Sequence, residues 1–223
     1  RDGMETKRVL FTATVVKQHI MTFHVPYLRM FRQMGWETAV AAANDYDDPR
    51  ELNIPYCDTY YEIPFARNPL NPVNFRAYRE LKKIIDREQY QIIHCHTPVG
   101  AMITRLAARD ARKKGTKVIY TAHGFHFFKG SSLVSWLAYY PVEWVLAHDT
   151  DVLLTMNRED YALAQRKMHA KRVEYVPGVG IDTHRFSENR KDAGEKRREL
   201  GFRQEDFLIL TVAEMTKNKN HST

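Results

Sequence analysis

Apolar runs alternate with helix-like patterns along almost the whole chain. The first apolar run, at 8–16, predicts a strand, and the helix pattern that follows it covers 22–35, with Gly35 as its end. Strands that are apolar throughout are typical of a parallel sheet with both faces covered. The alternation therefore predicts an α/β fold, in which helices cover both faces of a Rossmann-like parallel sheet. The further predicted strands are 37–43, 56–63, 91–94, 117–121, 151–156 and 172–176, and the further predicted helices are 74–89, 100–114 and 157–168.

One segment, 131–147, is apolar on nearly every side, and Pro141 within it predicts a kink. We favour a helix that is buried in the protein. An oligomer contact or a lipid-facing surface is the alternative, because large exposed apolar patches mark interaction sites.

The last part of the chain changes character. Residues 187–199 are highly charged, whereas 206–213 again resemble a buried strand. An unpaired apolar strand invites pairing with another chain, so we also expect a homodimer through 206–213. The predicted parts are a Rossmann-like acceptor-binding domain over 4–186, a linker over 187–205, and the first strand and loop of a truncated donor-binding domain over 206–223.

The chain has 34 Lys and Arg against 27 Asp and Glu, which gives a formal net charge of +7. Much of the positive charge falls on the predicted helices, at 76–87 and 105–114. These charges indicate either solvated helix faces or attraction to an anionic membrane surface, which salt would screen within about 8 Å. Aromatic residues are not interleaved with them as in RNA-binding surfaces, so no nucleic-acid partner is expected.

The absence of certain sequence features indicates where the protein is located and what its cysteines do. No apolar run approaches the roughly 20 residues of a membrane-spanning helix, and no signal segment stands at the start. We therefore expect a cytoplasmic protein, which includes a peripheral position at the inner face of the membrane. The two cysteines, Cys57 and Cys95, provide neither a disulfide framework nor a cysteine-based zinc pattern.

Two consecutive predicted strands end in histidines: His94 and His96 after the first, His123 and His126 after the second. The carboxyl ends of parallel strands form the ligand crevice of an open α/β sheet, and imidazole exchanges protons near neutral pH. Substrate binding with proton transfer is one interpretation. A zinc site is another, although no cysteine or suitably spaced carboxylate completes a ligand set, and no metal is expected. Satisfied core histidines are the third.

Two further features indicate contact with a ligand. The segment 178–182 holds Gly178 and Gly180, but it lacks the third glycine and the following helix of a dinucleotide-binding motif. It indicates a tight loop in which the backbone approaches a ligand or a neighbouring domain. Lys217 and Lys219 follow the last predicted strand and suit the binding of a diphosphate.

Taken together, these elements resemble the amino-terminal domain of family 4 glycosyltransferases, which have the GT-B fold, and in particular the capsular and exopolysaccharide type. The motifs Ile93-His-Cys-His-Thr-Pro and Tyr120-Thr-Ala-His-Gly-Phe-His-Phe carry much of the similarity. Further matching stretches are 8–14, 23–28, 175–182 and 210–220, so that the resemblance covers nearly the whole chain.

The resemblance implies a retaining transfer of a sugar, without a cofactor or metal, from a nucleotide-sugar donor, such as a UDP-sugar, to a lipid-diphosphate-linked or saccharide acceptor. It implies that His123 supports a hydroxyl of the transferred sugar and that Lys219 neutralises the leaving diphosphate. Glu214 stands where the family often has Arg, and Lys217 would compensate. Gly180 is expected at the donor. The expected acceptor-binding residues are His19, His96 and His126.

The sequence leaves two alternatives to this function. One is a metal-dependent hydrolase that uses the histidine cluster, and the other is a non-catalytic Rossmann-like binding module. If the transferase interpretation holds, the second domain carries most donor contacts, and we expect this chain alone to be inactive.

Overall fold

The structure, a computed structural model, describes residues 6–184, 193–213, 215 and 219–221. The chain forms two compact units: the first unit, Arg1–Val179, and the second unit, Gly180–Thr223. The domain limits drawn from the sequence stay predictions.

The first unit contains a seven-stranded sheet in which every neighbouring pair of strands is parallel. The strand order is β3-β2-β1-β4-β5-β6-β7. This arrangement confirms the predicted α/β, Rossmann-like sheet, and its order follows the doubly wound pattern. The strands are β1 Arg8–Val15, β2 Glu37–Ala43, β3 Thr59–Glu62, β4 Ile92–His96, β5 Lys117–Ala122, β6 Val152–Thr155 and β7 Arg172–Tyr175.

Helices cover both faces of the sheet, as predicted. Successive residues of β1 point to opposite faces, so Leu10 packs into one buried core and Val9 and Phe11 into the other. The helices of the first unit are α1 Val25–Gln33, α2 Val73–Glu88, α3 Pro98–Ala107, α4 Arg109–Lys113, α5 Leu133–Ala147 and α6 Arg158–Lys167. A π-helix, Val16–His24, and a 3₁₀ turn, Pro49–Glu51, complete the set.

The first helical region differs from its prediction. In place of one helix over 22–35, β1 passes directly into the π-helix, Val16–His24, and α1 follows from Val25. Helix α1 has proline in its first turn, where a missing N–H costs nothing, and Gly35 with φ +79° ends it as expected. The apolar run that predicts the first strand reaches Val16, the first residue of the π-helix, so the sequence gives no sign of where the strand ends and the π-helix begins.

Helix α5 corrects the expectation for 131–147. The segment is a helix, and it continues through Pro141, but it is not buried. Leu133, Val134 and Leu137 are 73%, 75% and 69% exposed. Trp136, Tyr140 and Ala147 pack onto the core and Leu146 is buried as well, whereas most of the other apolar residues of the helix remain uncovered within the described chain.

A buried ion pair joins α5 to α3. Two nitrogens of the Arg105 guanidinium lie 2.9 Å from the two carboxylate oxygens of Glu143. The Arg105 side chain is 1% exposed, donates to the Ala101 carbonyl at 3.1 Å, and lies 4.1 Å above the Tyr120 ring. The two hydrogen bonds to Glu143 and the contact with the Tyr120 ring compensate for the hydration that the Arg105 guanidinium loses when it is buried.

In the second unit the described residues include helix α7, Ala193–Glu199, and residues 183–184 are helical as well. The predicted strand over 206–213 is wrong: these residues have no regular secondary structure, and Phe207 and Ile209 are 90% and 84% exposed. No strand of the described residues pairs with this segment. An apolar pattern alone does not produce a strand, because the backbone N–H and C=O groups of a strand need a neighbouring strand as hydrogen-bond partner. The homodimer through it stays a prediction.

Candidate functional site

The strand order places the site between β1 and β4, where the chain direction across the sheet reverses. In doubly wound sheets, ligands bind at this switch point, outside the carboxyl ends of the strands. Strand β1 continues there into the π-helix, and β4 ends at His96. Single π-helical stretches are frequent at functional sites. Two elements with histidines therefore meet at the crevice.

Four histidines form a compact cluster at this position. His19 and His24 come from the π-helix, His96 from the end of β4, and His123 from the loop after β5. One ring nitrogen of each lies within 4.8 Å of those of the others. The rings of His24 and His96 are closest, with centroids 3.7 Å apart. We call this group the histidine cluster.

The interior of the histidine cluster is short of hydrogen-bond partners. His24 and His96 are 2% and 1% exposed, and neither ring nitrogen of either residue has a partner within the described residues. His19 Nε2 is buried and without a partner in the same way. Buried polar side-chain atoms are nearly always hydrogen-bonded, so each such nitrogen indicates a group that binds there.

Burial keeps these imidazoles neutral. It lowers the pKa of His19 to about 4 and that of His24 to about 2, and the neighbouring histidines add to both shifts. The pKa of His96 is lowered well below its ordinary value for the same two reasons. Burial also lowers the pKa of His123, the exposed member. Neutral rings can each offer one lone pair, which suits a hydroxyl donor or a metal ion.

The structure brings together three of the predicted residues, His19, His96 and His123, and adds His24, which sequence analysis missed. His94 lies against the cluster, but its Nε2 is 2.8 Å from Thr121 Oγ1, so it has a partner. His126 lies apart and stacks on Tyr139, with ring centroids 4.7 Å apart.

The loop that carries His123 is fixed by the start of α6. The buried Asp160 carboxylate accepts from the Phe125 backbone N–H at 2.9 Å and from the Asn157 amide at 2.8 Å. Gly124 has φ +136°, a conformation that side-chain-bearing residues rarely adopt, directly beside His123. The loop therefore holds His123 at the crevice.

An apolar groove of about 840 Å³ lies next to the histidine cluster. His19, His126 and Arg67 stand among its lining residues, and the Arg67 guanidinium donates to the Gln18 side chain. The apolar lining comes from α3, α5 and the strand ends, and includes Val99, Met102, Tyr120, Phe127, Tyr139 and Val142. The groove joins the cluster to the exposed side of α5.

The predicted donor-binding residues belong to the second unit. Gly180 is exposed and has φ +72°, in agreement with a tight loop, and Lys219 is exposed. Lys217 and Glu214 lie outside the described residues. The roles of all four at the donor stay predictions.

The predicted basic helices are largely neutralised. In the described residues, most of their cations have an acidic partner, and Arg105 is buried. These helix faces therefore attract an anionic surface less than the sequence indicates. The pairs are Arg76 with Glu80, Lys82 with Asp86 and Asp110, Arg87 with Glu88, Arg109 with Asp149, Arg112 with Asp151, and Lys113 with Asp110.

Comparison with known proteins shows the family to which the chain belongs. Residues 19–185 match Glycosyltransferase Family 4. A relative from Bacillus subtilis (strain 168), named "Putative glycosyltransferase EpsD", is 47% identical over 217 residues, which cover 96% of this chain and 55% of that protein. The UDP-Gal:alpha-D-GlcNAc-diphosphoundecaprenol alpha-1,3-galactosyltransferase of Escherichia coli is 26% identical over 149 residues, which cover 66% of this chain and 38% of that protein.

Among solved structures, sucrose-phosphate synthase from Thermosynechococcus elongatus superposes with a TM-score of 0.63 at 14% identity, and the match covers 88% of this chain and 53% of that one. The chain therefore belongs to glycosyltransferase family 4, and its fold is that of the first domain of such enzymes. It spans about half, or less, of the length of the curated relatives it matches.

Proposed function

We propose that the whole protein is a retaining glycosyltransferase of surface-polysaccharide synthesis, which transfers a sugar from a nucleotide-sugar donor to a lipid-diphosphate-linked acceptor. The observation that carries this proposal is the family match over 19–185, because this range holds the whole histidine cluster and its supporting loop. The name of the E. coli relative includes a UDP-sugar donor and an acceptor on diphosphoundecaprenol, which supports the same classes here. This chain alone is proposed to be inactive.

His123 is the proposed catalytic residue. It is the exposed member of the histidine cluster, at the end of β5 and within the crevice, so a bound sugar can reach its ring. Its lowered pKa leaves it neutral at pH 7, able to donate or accept one hydrogen bond with a sugar hydroxyl. Lys219 is proposed to neutralise the leaving diphosphate, Lys217 is proposed as a second cation for it, and Gly180 is proposed to contact the donor.

We expect His123→Ala in the complete protein to lower kcat about 100-fold, the size of effect seen when one well-placed polar group is lost from an active site. Turnover would be measured with a radiolabelled UDP-sugar and an undecaprenyl-diphosphate-linked sugar. The control is His126→Ala, which changes another exposed histidine on the same loop and should affect KM more than kcat. Unchanged kcat in the His123 variant would contradict the assignment.

The apolar groove is proposed as the acceptor site. Its lining suits the first isoprene units of a lipid carrier, and Arg67 at its rim suits the diphosphate, since guanidinium binds phosphate oxygens in pairs. His19 and His126, which line the groove, are proposed to face the acceptor sugar, and the buried His96 is proposed to support it from behind His19. The carrier's tail would leave the groove along α5.

The exposed face of α5 is proposed to lie on the anionic inner surface of the membrane, where such an acceptor is embedded. Among the described residues, no helix combines the length and the apolar character that crossing a membrane requires. An apolar helix face can instead lie in the interface, where anionic lipid attracts a chain of net charge +7.

Replacing Leu133 and Leu137 together by Asp should weaken vesicle binding at least tenfold, because each leucine contributes about 1.5–3 kcal/mol when it leaves water. Co-sedimentation with phosphatidylglycerol-containing vesicles, and with neutral phosphatidylcholine vesicles for comparison, measures this. Phe75→Asp is the matched control: Phe75 is 69% exposed on α2, so the loss of its apolar surface should have little effect. Equal binding of the α5 variant and the wild type would exclude α5 as the membrane contact.

A further inference from the structure

The histidine cluster has the composition of a metal site. Four imidazoles and no other ligand type meet within 4.8 Å, and His19, His24 and His96 carry buried nitrogens that have no partner among the described residues. The sequence offered only strand-end histidines and an incomplete ligand set. The π-helix supplies the two missing ligands, because it places His19 and His24 over the end of β4.

The four imidazoles of the histidine cluster suit the binding of a first-row transition-metal ion. Imidazole is a preferred ligand of zinc, and four ligands at about 2.0–2.1 Å from a central ion form its usual tetrahedral shell. In such a shell the ligand nitrogens lie about 3.3 Å apart, so the ring nitrogens, which are at most 4.8 Å apart, would approach one another by about 1.5 Å or less when an ion binds. The rings are also in the neutral form that metal binding requires.

The four ligands differ in access, and this difference provides an entry path. His24 and His96 form the buried floor, His19 is half-buried, and His123 is exposed at the mouth. The His19 and His123 rings are 4.8 Å apart between centroids, at the side that opens to the crevice. An ion can therefore enter past His123 and His19 and reach the two buried imidazoles.

We propose that the histidine cluster binds one divalent transition-metal ion, Zn²⁺ being the probe, through His19, His24, His96 and His123. The ion satisfies a buried nitrogen on each of the three inner rings. It also occupies the His123 nitrogen that the proposed transferase uses for a sugar hydroxyl, so metal and donor sugar compete for this residue. Metal binding itself does not depend on the proposed function.

The test uses the full chain, stripped with EDTA, incubated with ZnCl₂ alone and desalted, with zinc measured by mass spectrometry. We expect about one ion per chain. Loading with Co²⁺ alone should give the intense visible absorption of a tetrahedral site. His123→Ala and His24→Asn should each lower zinc affinity at least tenfold, since the loss of an outer-shell partner alone costs metal sites about 10- to 100-fold.

The matched control is His169→Ala, because His148 and His169 form an exposed pair, 4.7 Å apart between ring centroids, that could bind zinc from the surface. This variant should bind zinc and cobalt like the wild type. If His24→Asn fails to fold, His123→Ala and the cobalt spectrum decide. Stoichiometry well below one in the wild type, or binding that survives His123→Ala and is lost in His169→Ala, would overturn the proposal. Since no sugar substrate is present, neither result bears on transferase activity.

Discussion

Acidification from about pH 7 to about pH 5 should destabilise the metal-free first unit by several kcal/mol. In the folded chain, burial lowers the pKa of His19 to about 4, of His24 to about 2 and of His94 to about 3, and that of His96 well below its ordinary value. In the unfolded chain, the same histidines take up a proton near pH 6.5. The unfolded state therefore binds more protons as the pH falls, and stability present above pH 6.5 is lost below it.

The expected size is roughly 2 kcal/mol at pH 5 for each histidine that stays neutral in the folded state. Four such groups together amount to about 8 kcal/mol, which lies within the 5–15 kcal/mol that is typical of the stability of a whole domain. Urea unfolding followed by circular dichroism, with EDTA present at each pH, measures the effect. His24→Phe should flatten the pH dependence by about one proton, while the exposed His169→Ala should leave it unchanged. Equal free energies of unfolding at both pH values would show that these histidines are protonated in the folded protein.

Glu143→Ala should destabilise the protein by about 3–5 kcal/mol, because it leaves the buried guanidinium of Arg105 without its partner charge. For a chain of this size, about 1 kcal/mol corresponds to a change in Tm of about 2–4 °C, so the Tm should fall by roughly 6–20 °C. The apolar groove should lose its shape as well, since this ion pair holds α5 against α3.

Two controls distinguish destabilisation by an unpaired buried charge from destabilisation by the loss of an ion pair as such. Glu80→Ala removes the partner of Arg76 in an exposed pair on α2 and should cost less than about 1 kcal/mol. The double variant Arg105→Met/Glu143→Leu removes both charges and should recover much of the stability, since apolar replacements of buried pairs are often neutral. A Tm of Glu143→Ala close to that of the wild type would mean that water reaches the Arg105 guanidinium.

The parallel sheet could be predicted from the sequence, because strands buried on both faces appear as continuous apolar runs. His96 and His123 could be predicted too, since both follow such runs directly and strand ends converge on one crevice. His24 could not. It lies in the first helical region, where the sequence pattern set the start of one α-helix at residue 22 and gave no sign of the π-helix.

The burial of segments was the second feature that the sequence could not predict. The segment 131–147 is apolar on all sides, and a sequence does not distinguish a helix that the protein covers from one that a partner covers. The strand expected over 206–213 failed for a related reason, since strand formation depends on a partner strand that local pattern does not reveal.

Because of the π-helix after β1, the site depends on the number of residues between two of its histidines as well as on the presence of those histidines. His19 and His24 are five residues apart, which matches the i to i+5 repeat of a π-helix. In a regular α-helix, at about 100° per residue, the same two side chains would point about 140° apart. An insertion of one residue between 20 and 23 would leave the two histidines six apart, about 120° from each other around an α-helix, and would separate the rings although every histidine is still present. A deletion of one residue would leave them four apart, on the same face of an α-helix, so insertions in this short segment should be less tolerated than deletions or substitutions.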